Sequence, residues 1–117
     1  MPMTEITYDE AMPIESYGPG FFRIAGQVLR GPVMVSPWGA GPWGGLDDTA
    51  TPLALAGRID VLFLGMGGDI AHAPAAFRDM MEQAGMGVEV MNSPAACRTY
   101  NVLLSEGRRV ACLLLPV

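Results

Sequence analysis

The spacing of apolar positions changes along the chain, and each change marks an element. Residues 1–13 carry no sustained pattern and read as an N-terminal arm. Residues 14–17 look extended, and Gly18-Pro19-Gly20 turns the chain into 21–30, where Phe22, Ile24, Val28 and Leu29 are interrupted at Gly26-Gln27. That arrangement suits a β-hairpin or a bulged strand. After the Gly31-Pro32 turn, 33–35 is a short apolar strand ended by Ser36-Pro37. From 37 to 48 glycine, proline and tryptophan dominate, with almost nothing suited to a ladder, and predict a surface loop held down by Trp38 or Trp43.

The second half is more regular. Thr51 before Pro52 predicts a capping hydroxyl and a short helix over 52–56, stopped by Gly57. Residues 59–64, apolar apart from Asp60, read as a buried strand leading into Gly65-Met66-Gly67-Gly68-Asp69. In 74–84, Phe77, Met80, Met81 and Ala84 share one helical face, and Arg78, Asp79, Glu82 and Gln83 take the other. Gly85 stops this helix and 88–91 follows as a strand. Ser93 is the expected N-cap of a helix over 94–105, with Pro94 at its first position. Gly107 stops that helix, and 109–115 is apolar enough to lie centrally in a sheet.

A β, α, β, α, β order with long crossovers predicts parallel neighbours. The fold class is therefore α/β, a single domain over 14–117. A mixed central sheet has a parallel βαβαβ second half with helices packed on it. An antiparallel β-hairpin region comes from the N-terminal half.

Composition narrows the function classes. Half of the 117 residues are hydrophobic and only 16% are charged, far from the composition of disordered chains. The net charge of -5 repels phosphate backbones and anionic lipid, which argues against a nucleic-acid role. No apolar run approaches the roughly 20 residues of a membrane span, and the first 22 residues lack Lys and Arg, so no signal peptide is expected. Cytoplasmic residence follows, with Cys97 and Cys112 reduced. The apolar surplus and nine methionines are compatible with a homo-oligomer.

Candidate chemistry is sparse. Gly65, Gly67 and Gly68 follow a buried strand and precede a helix, where doubly wound folds hold phosphate, but the loop has no basic residue and Asp69 opposes an anion. On the 94–105 helix, Ala96, Thr99, Tyr100, Leu103 and Leu104 cluster on one side, and Arg98, Asn101 and Ser105 on the other. That second side reads either as solvated or, through Arg98 and Asn101, as one wall of a groove beside the glycine loop. Ser93 lacks a nucleophile elbow and a neighbouring histidine. Cys97 is either an inert core thiol or one activated by the helix dipole and Arg98. His72 stands alone, so no metal site or other cofactor is expected. Glu106 and Arg108 flank Gly107 and suggest a salt bridge across the turn. Trp38 and Trp43 are either plugs over the core or aromatic anchors for a partner.

Ala96-Cys97-Arg98-Thr99-Tyr100-Asn101-Val102-Leu103-Leu104-Ser105-Glu106-Gly107-Arg108-Arg109-Val110 resembles a family of small uncharacterised bacterial and archaeal domains. Its eukaryotic relatives include assembly factor 3 of mitochondrial complex I and an adipogenesis-associated domain protein. The resemblance extends to the Tyr-Gly and Phe-Arg-Ile pattern within 14–24, the Val-x-Val-x-Pro strand at 33–37 and the strand ending in Gly-x-Gly over 60–67. Asn92-Ser93 and the Trp-Gly-Pro loop depart from it.

The resemblance implies a compact α/β domain with no established enzymatic activity and a setting in membrane biogenesis. The expected function is thus a non-enzymatic protein-interaction or assembly-factor-like domain, serving respiratory complex I or membrane-protein biogenesis. Its partners would be membrane-complex subunits or assembly factors, met in the cytoplasm or peripherally at the inner membrane. The interaction surface would lie around Arg98, Asn101, Trp38 and Trp43. The alternative is an anion-binding domain, or an enzyme of unknown substrate, with Gly65, Gly67, Gly68, Ser93, Arg98, Asn101, Glu106 and Arg108 as its site.

Overall fold

The computed structural model describes residues 13–69 and 71–117. The arm expected over 1–13 lies, apart from Pro13, outside the described residues. Strands β1 (Ile14–Gly18), β2 (Phe21–Ile24) and β3 (Gln27–Arg30) form a three-stranded antiparallel sheet. Its second turn falls at Ala25-Gly26 rather than Gly26-Gln27, because Ile24 pairs with Gln27 and leaves a two-residue loop with both φ angles positive, 52° and 77°. Such loops match the twist of a hairpin.

The second sheet has five strands in the order β5-β4-β8-β6-β7. They are β4 (Val33–Ser36), β5 (Gly39–Pro42), β6 (Val61–Met66), β7 (Gly87–Met91) and β8 (Val110–Leu115). The apolar last strand is central, as its composition predicted. It runs parallel to β6 and antiparallel to β4, and β6 is parallel to β7. The sheet is mixed, with a parallel second half.

One correction concerns the loop expected over 37–48. Gly39–Pro42 pairs with β4 in full register, Val33 opposite Pro42 and Ser36 opposite Gly39. A ladder is made by backbone amides and carbonyls, so side-chain-poor residues join it when a neighbouring strand supplies the template. Proline is tolerated there because β5 is an edge strand.

Alternate residues of β8 build two cores. Val110, Cys112 and Leu114 face α3 (Ser93–Ser105), meeting Ala96, Cys97, Tyr100 and Leu104 together with Ile14, Phe22 and Ile24 of the small sheet. Ala111 and Leu113 face the other layer, meeting Phe77 and Met81 of α2 (Ala75–Gln83), Leu55 and Trp43. Met80, assigned to the apolar face of α2 by its spacing, is instead 43% exposed. Only one narrow stripe of this nine-residue helix touches the sheet.

A polar knot holds the segment between β5 and β6. Trp43 is buried against Phe77, with ring centroids 6.2 Å apart, and its Nε1 donates to the Asp48 carbonyl at 2.9 Å. The Asp48 carboxylate accepts from the amides of Gly44 and Thr51 and from Thr51 Oγ1. Thr51 is therefore occupied with Asp48 and does not cap a helix. The short helix α1 is Ala50–Leu53, earlier than the 52–56 expected, with Thr49 at its N-cap.

The Thr51 hydroxyl, followed by the Gly44 and Thr51 amides, holds the Asp48 carboxyl below its ordinary value of 3.8. A carboxyl whose pKa is lower in the folded state adds stability above that value, and loses it as pH falls through the folded pKa. Thermal melting across the acid range should thus fall more steeply with decreasing pH for the parent chain than for Asp48→Asn. Parallel curves would assign the acid sensitivity elsewhere.

Candidate functional site

The carboxyl ends of β6 and β8 meet the start of α3. There Ser93 is fully buried. Its Oγ accepts from the Gly67 amide at 2.9 Å and donates to the Leu115 carbonyl at 2.6 Å, while its own amide donates to the Gly67 carbonyl at 2.7 Å. The expectation that Ser93 caps α3 is corrected. Asn92 is the N-cap, its Oδ1 accepting from Ala95 N at 2.8 Å, which leaves the serine hydroxyl to join the two strand ends.

The glycines of the loop serve this contact. A Cβ on Gly65 would stand 2.8 Å from both Cα and Oγ of Ser93, so only glycine lets α3 begin so close to β6. Gly67 adopts φ +84°, and a Cβ there would meet the Pro116 carbonyl at 3.1 Å. Gly68 is exposed. The Gly67 amide, the donor an anion would have sought in this loop, already has a partner in Ser93.

Two turns along α3, Asn101 makes a second polar clamp. Its Oδ1 accepts from Ile14 N and its Nδ2 donates to Ile14 O, both at 2.8 Å. The side-chain amide thereby imitates a neighbouring strand at the edge of β1. Asn101 was assigned to the side of the helix opposite the core. In the fold it is half-buried against β1, because the small sheet packs on a flank of α3 that helical spacing alone leaves open.

Arg98 is exposed, on a surface to which no residue of the glycine loop contributes. It lines an open depression of about 300 Å³ with Thr99, Val102 and Leu103. Glu106 and Arg108 are both exposed, and neither takes part in an ion pair among the described residues. Arg109 instead pairs with Asp60 at 3.1 Å, as expected where the last strand starts beside β6. Trp43 is a core residue. Trp38 is half-buried, with the Arg58 guanidinium 4.0 Å from its ring centroid. The structure thus brings Ser93 together with Gly65 and Gly67, and leaves Arg98, Asn101 and the tryptophans at separate places.

Residues 14–115 match the model of a family described as a protein of unknown function (DUF498/DUF598). The chain belongs to this family. An uncharacterized Rhodobacter capsulatus protein is 53% identical over 107 residues, covering 92% of this chain and 86% of that one. NADH dehydrogenase (ubiquinone) 1 alpha subcomplex assembly factor 3 of Danio rerio is 34% identical over 110 residues, covering 88% of this chain. The match spans 63% of that factor's own length. The crystal structure of a Bordetella parapertussis protein superposes with a TM-score of 0.81 at 28% identity, covering 92% of this chain and 97% of that one.

Both thiols are buried. Burial pushes Cys97 up to about 11, and the opposing influence of Arg98 is weaker. Cys112 is raised well above the usual thiol value by complete burial, with Cys97 adding to it. Tyr100 is likewise raised by burial, and its hydroxyl has no hydrogen-bond partner among the described residues. Among the described residues no group of three or more His, Cys, Asp or Glu side chains is placed to hold a metal.

Two outcomes follow. Ser93→Ala should lower unfolding free energy by about 2 kcal/mol in urea, since a buried amide and a buried carbonyl each lose a partner. An unchanged urea midpoint would show that the hydroxyl contributes nothing to the joint. At neutral pH, DTNB should leave both thiols unmodified in the native chain and react fully once denaturant unfolds it. Rapid native modification at Cys97 would contradict its burial.

Proposed function

We propose that this chain is a non-enzymatic protein-interaction domain of the assembly-factor kind, acting in the biogenesis of respiratory complex I. One observation carries the reading. A relative named as a complex I assembly factor aligns over 88% of this chain, so the likeness spans nearly the whole fold and not one motif. The closed joint at Ser93 supports it, because the Gly67 amide is already satisfied within the fold. So does the place of Arg98, which lines a depression on α3 to which no residue of the glycine loop contributes.

No helix among the described residues is long and apolar enough to cross a membrane. The proposed role is exercised through a partner at the inner membrane. The partners proposed are subunits or assembly factors of that complex.

Deletion of the gene in the native host should lower assembled complex I on native gels and NADH:quinone activity in membranes, with both restored by the parent chain. A tagged chain should enrich complex I subunits or assembly proteins over a control. Normal assembly and activity in the deletion strain would overturn the reading.

A further inference from the structure

The two long helices treat solvent differently. The nine residues of α2 include Arg78, Asp79 and Glu82, as a surface helix ordinarily does. Across the thirteen residues of α3, Arg98 is the only charged side chain. Val102, one turn after it, is 56% exposed, the highest value among the exposed large hydrophobics of the described residues. Half-buried Thr99 and Leu103 lie alongside, and together these four side chains line the open depression of about 300 Å³.

Arg98 has no carboxylate within ion-pair distance among the described residues. Arg78 pairs with Glu82, Arg109 pairs with Asp60 and Arg58 stacks on Trp38; Arg23, Arg30 and Arg108 share with Arg98 the lack of an ion pair among the described residues, and of these four Arg98 is the one that lines the depression. A guanidinium left without an anion beside apolar surface is complementary to a carboxylate supplied from outside.

We infer that this face of α3 receives an acidic amphipathic helix of a partner protein. The inference rests on the interaction-domain reading and adds the place and the chemistry of the contact. The helical form follows from the shape of the surface. Arg98 with Val102, and Thr99 with Leu103, make two ridges at a spacing of four residues, and the groove between such ridges accepts a ridge of a second helix. The partner's apolar ridge covers Val102 and Leu103, and an Asp or Glu flanking that ridge meets Arg98. A second copy of this chain is a poor occupant, because two α3 faces would oppose Arg98 with Arg98 and offer no carboxylate from the helix.

The test places the photo-crosslinking residue p-benzoylphenylalanine at Ser105, an exposed position of α3 three residues beyond Val102, in the full chain expressed in its native host. A control carries it at Val28 on the hairpin. Mass spectrometry should find a cross-link from position 105, and none from position 28, to a helical segment of another protein whose apolar ridge is flanked by Asp or Glu. Arg98→Glu should reduce that cross-link about tenfold, and Arg98→Lys should retain most of it. Circular dichroism should confirm that both variants fold.

A cross-link to a second copy, to this same chain or to a basic segment would overturn the inference, as would its absence or its indifference to Arg98→Glu. The deletion strain separates the two levels. If the parent chain and Arg98→Glu restore complex I equally well, the docking face is wrong and the proposed function stands. If deletion itself has no effect, the function is wrong as well.

Discussion

One buried hydroxyl ties together the parts of this fold that would otherwise end loose. Ser93 Oγ receives the Gly67 amide from the end of β6 and gives its proton to the Leu115 carbonyl at the end of β8, while its own backbone starts α3. The contact exists only because residue 65 has no side chain, since a Cβ there would stand 2.8 Å from Ser93. With its first turn fixed in this way, α3 lies across the sheet with Ala96, Cys97, Tyr100 and Leu104 in the core. Asn101 then reaches the backbone of Ile14, so a pin at the sheet's edge positions a second pin on the small sheet.

This arrangement accounts for why polar residues that look chemically capable carry structure. An unpaired buried amide or carbonyl costs about 1–3 kcal/mol, comparable to much of the margin by which a domain of this size is stable. Ser93 and Asn101 remove such costs at two places where strand and helix termini meet. The thiols and Tyr100 lie in the core shared by α3 and β8, where burial raises their pKa values. The outward side of α3 carries one charged side chain, Arg98, and one strongly exposed aliphatic one, Val102.

Elements whose pattern is set by burial were readable in the residues. The central place of β8, the buried β6 and the stops at Gly85 and Gly107 follow from apolar runs and glycine, and both glycines take positive φ. Elements set by a distant template were not. Gly39–Pro42 becomes a strand because β4 lies beside it, and no local property of Gly-Ala-Gly-Pro announces that. The site was partly legible in the same sense. Ser93 and Asn101 stood out as polar residues in an apolar setting, but their partners are far along the chain. Asn101 meets Ile14 across 87 positions and Ser93 meets Gly67 across 26, so helical spacing could not distinguish a clamp from a binding group. A capping rule also chose Ser93 over Asn92, since both are good caps and only tertiary packing gives the serine a better use.

The closed joint gives the Gly67 amide a partner inside the fold, where an anion-holding loop would need it available. The Gly67 amide is the atom that separates these accounts. Its resonance in a ¹⁵N spectrum, followed during hydrogen exchange and again during a phosphate titration, tests the claim directly. Slow exchange is expected, with a shift that phosphate leaves unmoved, because Ser93 holds that hydrogen. Fast exchange, with a saturable shift as phosphate is added, would mean that the loop is open and binds anions after all.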